Sequence, residues 1–181
     1  MQIESVFAGF GGQGMLLAGK LWAETAMDLG KEVVWLPSYG PEMRGGTANC
    51  TVIIGDGPIA SPIVSHPRDC VVMNLPSMEK FAPVLRPGGI LVVNTSLIPT
   101  LPGRTDLVVV KVSANQIAID AGTGKAANMV MLGAYVGAVD LMPFEAVVEK
   151  TRHELARKPK IIPTNVKCLE EGFKLGKAAR C

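Results

Sequence analysis

The sequence predicts an α/β protein: a three-layer α/β/α Rossmann-like domain with a mixed, mostly parallel sheet and a helical C-terminal part. Strand-like apolar runs alternate with helical periodicities over most of the 181 residues, the pattern of strands connected by helices. Glycine-rich loops follow the first two runs, where this architecture places its ligand sites. The 48% hydrophobic fraction suits a compact core, and the length predicts a single domain over residues 1–181.

Six short apolar runs predict the strands of the sheet. Several are continuous, which is typical of strands buried on both faces. The third run follows the second through a loop without a helix, so we expect antiparallel pairing there and therefore a mixed sheet. The predicted strands are Ile3–Ala8, Glu32–Leu36, Ala48–Ile54, Cys70–Asn74, Ile90–Asn94 and Leu107–Val112.

Helical spacing and the placement of proline and glycine predict the helices. Apolar residues recur with helical spacing from Leu16 up to Gly30, and Gly30 suits the C-cap of this helix. Pro76 suits the first position of a second helix, which runs to Leu85. Three prolines between Pro58 and Arg68 predict an extended connection. The remaining predicted helices are Asn115–Ala121, Ala126–Val139, Pro143–Leu155 and Asn165–Lys177.

Composition argues against several classes of partner. A formal net charge of +2 and 5% aromatic residues give neither the basic face nor the stacking platforms that nucleic-acid binding requires. The first residues lack the pattern of a signal peptide, and no apolar run approaches the roughly 18 residues of a spanning helix. We therefore expect a cytoplasmic protein without nucleic-acid or membrane partners.

The cysteine spacing predicts that this chain holds no metal ion or cluster of its own. Cys50, Cys70, Cys168 and Cys181 form no Cys-x-x-Cys pair, and zinc and iron–sulfur sites usually need close ligand spacing. We expect Cys50 and Cys70 to be small core residues rather than redox groups.

The first glycine loop, Gly9-Phe10-Gly11-Gly12-Gln13-Gly14, matches the Gly-x-Gly-x-x-Gly pattern between a strand and a helix. This pattern allows a tight turn and a close approach of the backbone to a ligand. A dinucleotide site would also need an acidic residue at the end of the second strand, but that strand ends Trp35-Leu36-Pro37-Ser38. A purely structural turn, a site for another phosphate or carboxylate group and a subunit contact all stay open.

The second loop carries three polar side chains between turn-forming residues. Tyr39, Glu42 and Arg44 lie among Gly40, Gly45 and Gly46. A guanidinium can hold a carboxylate or phosphate through two parallel hydrogen bonds, so the loop is a candidate ligand site. The alternative is an exposed Glu42–Arg44 ion pair, which would contribute little.

Together the two loops closely resemble the gamma subunit of the 2-oxoacid:ferredoxin oxidoreductases. The similarity is carried by the first loop and by Ser38-Tyr39-Gly40-Pro41-Glu42-Met43-Arg44-Gly45-Gly46. It continues through the segments 69–74, 87–94 and 127–134 and covers most of the chain, but not the part after about Pro159. The segment Thr47-Ala48-Asn49-Cys50 is more similar to the 2-oxoglutarate or branched-chain branch than to the pyruvate branch.

The resemblance implies that this chain is one subunit of an enzyme and that it is inactive without its partner subunits. Family members convert a 2-oxoacid, coenzyme A and oxidised ferredoxin into acyl-CoA, carbon dioxide and reduced ferredoxin, and 2-oxoglutarate is the first candidate substrate here. Thiamine diphosphate with magnesium lies between alpha and beta subunits, and iron–sulfur clusters lie in the beta or delta subunit. The implied partners are therefore alpha, beta and delta subunits, separate or fused, and ferredoxin through the complex.

The resemblance also implies which residues form the site. The matching positions are Gly9, Gly11, Gly12, Gln13, Gly14, Tyr39, Gly40, Glu42, Arg44, Gly45, Gly46 and Asn128. We expect the first loop, the second loop and Asn128 to converge at the carboxyl edge of the sheet. There Arg44 and Tyr39 would position coenzyme A or brace the thiamine site, with Glu42 as a site residue or a partner of Arg44.

Two further hypotheses remain beside this one. A free-standing nucleotide-binding oxidoreductase would bind NAD, NADP or a flavin tightly. A small regulatory module would bind an effector at the glycine loop and would be found without partner subunits.

Overall fold

The fold is built on one mixed sheet of six strands. The structure, a computed structural model, describes residues 1–39 and 46–180, and for Tyr39 the backbone alone. The strand order within the described residues is β2-β3-β1-β4-β5-β6. The strands are β1 Gln2–Phe10, β2 Glu32–Tyr39, β3 Thr47–Gly55, β4 Asp69–Val72, β5 Ile90–Asn94 and β6 Val108–Val112.

The predicted mixed sheet is confirmed. Strand β3 pairs antiparallel with both β1 and β2, whereas β1, β4, β5 and β6 pair in parallel. Every strand except β3 therefore points the same way. The antiparallel step arises because the short connection from β2 to β3 contains too few residues for a helical crossover.

The predicted helices are present with small shifts at their ends. Short 3-10 turns at Ala82–Val84 and Pro159–Ile161 follow the second helix and precede the last one. In the part of the chain that the structure describes, each helix is too short or too polar to span a bilayer. The helices are α1 Met15–Asp28, α2 Leu75–Phe81, α3 Ala114–Asp120, α4 Ala127–Val139, α5 Phe144–Glu154 and α6 Ile162–Ala178.

Three predicted boundaries were wrong, each for an identifiable reason. Strand β2 continues through Pro37 to Tyr39, because an edge strand tolerates a proline that donates no hydrogen bond. Asn74 does not extend β4 but caps α2, since its side-chain oxygen accepts a hydrogen bond from Ser77 N at 3.0 Å. Helix α2 ends at Phe81 rather than Leu85, because Pro83 has no N–H group to continue the helical hydrogen bonds.

Apolar clusters cover both faces of the sheet, as a three-layer α/β/α domain requires. The larger cluster joins one face to helices α1, α3, α4, α5 and α6. The smaller cluster joins the other face to α2 and includes Ile98. The carboxyl ends of β1, β4, β5 and β6 lie between these layers and open to one side, which is where ligands bind in such sheets.

Helix α4 is buried on all sides, although most helices keep a polar face toward water. One side lies against the sheet and the other against α6. At the crossing, Gly133 and Gly137 of α4 face Gly172 and Gly176 of α6. A β-carbon at any of the four would overlap a backbone carbonyl oxygen of the opposite helix. The two backbones therefore approach as closely as glycine alone allows.

A buried hydrogen bond joins α4 to the sheet. Tyr135 Oη donates to Asp69 Oδ2 at 2.9 Å, and Asp69 Oδ1 accepts from Ile90 N at 2.9 Å. The Tyr135 ring also packs edge-to-face on Phe7 and Trp22, with ring centroids 5.5 and 5.1 Å away. Burial raises the pKa of the Asp69 carboxyl, and the hydrogen bonds that it accepts oppose this shift. Tyr135 therefore fixes the rotation of α4 about its own axis.

We predict that Gly172→Ala destabilises the protein by about 1–3 kcal/mol, the usual cost of overpacking a core. The added methyl group would overlap the Val130 carbonyl oxygen, which belongs to the backbone of α4 and cannot move aside. Alanine in a helix interior is otherwise favoured over glycine by about 1 kcal/mol, so a loss would come from the contact. Urea denaturation of the purified chain measures the change.

Gly103→Ala is the matched control, because a β-carbon there has no neighbour within 4 Å. We expect this variant to stay within about 0.5 kcal/mol of wild type. A Gly172→Ala protein as stable as wild type would contradict the close crossing of α4 and α6.

Candidate functional site

The candidate site lies at the carboxyl edge of the sheet, where the strand order reverses. After β1, the chain forms β2 and β3 on one side of β1. The next strand, β4, lies on the other side of β1. The loop after β1 and the loop after β4 therefore diverge and leave a crevice between them. Ligands bind at this position in open α/β sheets.

The first glycine loop is closed by the side chain of Gln13. Its Oε1 accepts hydrogen bonds from Phe10 N at 2.7 Å and from Asn74 Nδ2 at 3.1 Å. Gln13 N also donates to Phe10 O at 3.1 Å. Gln13 thus links the loop after β1 to the residue that caps α2 across the crevice.

Gly14 is needed both for its conformation and for its lack of a side chain. Its φ of 75° is left-handed, and a β-carbon there would lie 2.5 Å from Asn128 Nδ2. The same amide donates to Gly14 O at 3.1 Å. Asn128 at the start of α4 therefore holds the end of the first loop.

A backbone hydrogen bond joins the described end of the second loop to the first loop. Gly11 N donates to Gly46 O at 2.9 Å. Gly46 directly precedes β3, and Tyr39 is the last residue of β2. The predicted convergence of the first loop, the second loop and Asn128 is thus present at Gly11–Gly46 and Gly14–Asn128.

The other predicted site residues are placed as follows. Gly9 lies in β1, where it pairs with Ala48 of β3, and Gly12 stands in the first loop with a φ of 93°. The structure describes the backbone of Tyr39 and not its side chain. Gly40, Glu42, Arg44 and Gly45 lie outside the described residues.

Sequence reasoning did not select some further amide side chains that lie beside the crevice. Asn94 is fully buried at the end of β5, and its Nδ2 donates to Asn115 Oδ1 at 2.8 Å. Asn94 Oδ1 accepts from Ser96 N and Ala114 N, each at 3.2 Å. The sequence did contain a signal for Asn74 and Asn94, since each of them ends a strand-like run of apolar residues.

We call the opening above this network the amide cleft. It has a volume of about 360 Å³ and lies between the first loop and the start of α4. Its lining residues are Gly12, Gln13, Met73, Asn115, Gly124, Lys125, Ala127 and Asn128.

The chemistry of the amide cleft is that of a binding site. Lys125 is the one charged residue among the described lining residues, and no described lining residue is a carboxylate, histidine, serine or cysteine. General acid–base and nucleophilic catalysis use such groups and also lysine, so Lys125 is the one described lining residue that could take part in either. The described part of the cleft can donate hydrogen bonds and attract an anion.

The three described cysteines do not line the amide cleft. Cys50, Cys70 and Cys168 are buried and free, as expected of core residues. Burial raises the pKa of the Cys50 thiol to about 12 and also raises that of Cys70. A thiol with such a raised pKa is a poor nucleophile at neutral pH. Within the residues described, no three His, Cys, Asp or Glu side chains could hold a metal ion.

The sequence pattern of pyruvate ferredoxin/flavodoxin oxidoreductases matches residues 4–175 of this chain. The match spans both glycine loops and Asn128. The chain belongs to this family. It is a gamma-type member, because gamma subunits match it over nearly their whole length.

One solved structure and two curated relatives illustrate the match. The gamma subunit of a keto/oxoacid ferredoxin oxidoreductase from Geobacter sulfurreducens PCA superposes with a TM-score of 0.82 and 32% identity, covering 97% of this chain and 99% of that one. The 2-oxoglutarate synthase subunit KorC of Methanocaldococcus jannaschii is 34% identical over 81% of this chain and 80% of its own length.

Another relative is considerably longer than this chain. The ketoisovalerate oxidoreductase subunit VorA of Methanothermobacter marburgensis is 38% identical over 94% of this chain. The match covers 36% of that relative's length. In VorA the gamma-type region is thus about a third of a larger polypeptide.

The predictions of family, fold class and oxidoreductase subunit are therefore confirmed for this gamma-type chain. Its relatives include ketoisovalerate and 2-oxoglutarate proteins at similar identity, so the family match does not select one 2-oxoacid.

We predict that Gln13→Ala loosens the first loop of this gamma-type chain. The change removes the acceptor of Phe10 N and Asn74 Nδ2, and each lost hydrogen bond is worth about 1 kcal/mol. Hydrogen exchange at the Phe10 amide should become about tenfold faster. Mass spectrometry or NMR on the purified chain measures the rate.

Gln116→Ala serves as the control, since Gln116 Nε2 donates to Asp120 on the exposed side of α3. Its Phe10 amide should exchange at the wild-type rate. Unchanged exchange in Gln13→Ala would mean that Gln13 does not hold the loop.

Proposed function

We propose that this chain works in a complex that oxidatively decarboxylates a 2-oxoacid with coenzyme A, forming acyl-CoA and carbon dioxide and reducing ferredoxin. The 2-oxoacid is 2-oxoglutarate in this proposal, with a branched-chain oxoacid as the competing substrate. The observation that carries the proposal is the full-length match to a gamma subunit of a keto/oxoacid ferredoxin oxidoreductase.

The chemistry of the described residues is in keeping with a supporting role. The amide cleft offers hydrogen-bond donors and Lys125 but no carboxylate, histidine, serine or cysteine among the residues described. A subunit with this donor set can bind and orient a polar cosubstrate while reacting groups belong to other chains. We therefore assign thiamine diphosphate, its magnesium ion and the iron–sulfur clusters to alpha, beta and delta partners, separate or fused.

In this proposal the chain contributes to the site from the subunit interface. Arg44 would hold a carboxylate or phosphate group through two parallel hydrogen bonds, and Tyr39 would add a hydroxyl. The Gly11–Gly46 hydrogen bond ties the base of their loop to the first glycine loop. Coenzyme A is the cosubstrate that these groups would position, with Glu42 either beside it or paired with Arg44.

The proposal is tested by native purification of the tagged chain from its own cells, followed by mass spectrometry. We expect thiamine-binding and ferredoxin-like subunits to copurify. The complex should then reduce ferredoxin with 2-oxoglutarate faster than with pyruvate or 2-oxoisovalerate, and the isolated chain should be inactive. A chain recovered alone with a bound nucleotide would contradict the complex and favour an independent dinucleotide-binding protein.

We predict that Arg44→Ala lowers kcat/KM for coenzyme A in the assembled complex by about tenfold or more. Loss of a hydrogen bond to a charged group costs about 1.5–3 kcal/mol, which gives a factor of this size. Steady-state assays at varied coenzyme A concentration measure it, after gel filtration has established that the variant complex is intact.

The control for this variant is Arg152→Ala, which removes an exposed arginine of α5 that pairs with Glu149 on the same helix. It should leave kcat/KM unchanged. An intact Arg44→Ala complex with wild-type Michaelis constants and turnover would remove Arg44 from the site.

A further inference from the structure

A second cleft adjoins the amide cleft and is lined by lysines. It has a volume of about 470 Å³ and lies between the loop that precedes α4 and the corner between α5 and α6. We call it the lysine cleft, after Lys125, Lys158 and Lys160 in its wall. Thr123, Thr164 and Asn165 add polar groups.

Among the described residues, no acidic group in its wall offsets the positive charge of the lysine cleft. Among its described lining residues there is no aspartate or glutamate, and none of the three ammonium groups forms an ion pair with a described residue. Elsewhere, Lys20 and Lys31 lie 2.9 and 2.6 Å from carboxylate oxygens. Like charges gathered around one concavity raise the local potential and attract an anion.

The backbone holds these lysines in place. Lys158 N donates to Leu155 O at 2.8 Å, and Ile161 N donates to Lys158 O at 3.1 Å, so the corner that carries Lys158 and Lys160 is a defined pair of turns. Lys125 N donates to Thr123 Oγ1 at 3.2 Å, which fixes the opposite wall. The three lysines are therefore carried by hydrogen-bonded turns on opposite walls of the cleft.

The adjoining helix ends add to the same field. Helices α4 and α6 both begin beside the cleft, and neither has a side-chain cap. The N-terminal end of a helix carries partial positive charge, which favours an anion at this position. The lysines and the helix ends thus act in the same direction.

We propose that the lysine cleft binds a ligand with at least two phosphate groups. Three cations exceed what one phosphate needs, and the volume lies in the range of small-molecule sites. Lys125 and Asn128 line both clefts, so a nucleotide-sized ligand held here could extend into the amide cleft. The inference goes beyond the proposed function, because it requires neither the partner subunits nor the oxidoreductase reaction.

Isothermal titration calorimetry of the full-length chain with inorganic pyrophosphate tests the site. We expect saturable binding that weakens at least about tenfold in the double variant Lys158→Gln/Lys160→Gln. Both side chains are exposed, so the variant should fold normally, which circular dichroism checks. Lys167→Gln is the matched control, since Lys167 is an exposed lysine of α6 outside the cleft, and its affinity should equal that of wild type.

A parallel titration with adenosine diphosphate distinguishes the source of the phosphates. Tighter binding of the nucleotide than of pyrophosphate assigns the site to a nucleotide-borne diphosphate, and equal binding assigns it to free polyphosphate. Absence of saturable binding of either probe to wild type overturns the proposal. So does a Lys167→Gln variant that loses as much affinity as the double variant.

Discussion

The close crossing of helices α4 and α6 is the constraint on which the rest of this structure depends. Glycines on both helices let the two backbones meet, so α4 can be enclosed by α6 on one side and by the sheet on the other. The hydrogen bond from Tyr135 to Asp69 then selects one rotation of α4. A helix held in this way has neither room to slide nor a solvent-facing side on which to turn.

The site inherits its geometry from that constraint. Because the position of α4 is fixed, its first turn places Asn128 against Gly14 at the end of the first loop. Gln13 joins the same loop to Asn74, and Gly11 joins it to Gly46 at the second loop. Four segments distant in sequence thus meet at one edge of the sheet, through neutral amides and backbone groups. Such a site is preorganised for binding.

Most of the fold could be predicted from the sequence, because its signals are local. Continuous valine-rich runs predicted buried strands. The sequence between the second and third runs shows no helical pattern, which indicated the antiparallel step. The wrong boundaries lay where two local preferences competed. Pro37 suits a turn as well as an edge strand, and Asn74 suits a strand end as well as a helix cap. Sequence alone could not decide these cases, since the outcome depends on which neighbours the strand has.

The sequence by itself determined the family, the succession of strands and helices along the chain and the identity of the two glycine loops. Each of these depends on residues that lie close together along the chain. Only the tertiary structure decided which amides meet at the crevice and that three lysines without an ion pair among the described residues line one cleft. Asn94 and Asn115 are 21 residues apart, and no periodicity or motif links them. Gly14 and Asn128 are 114 residues apart, and although the family resemblance led us to expect them at one edge, it did not predict the hydrogen bond that joins them. Their contacts exist because packing of α4 and α6 against the sheet brings these parts of the chain together.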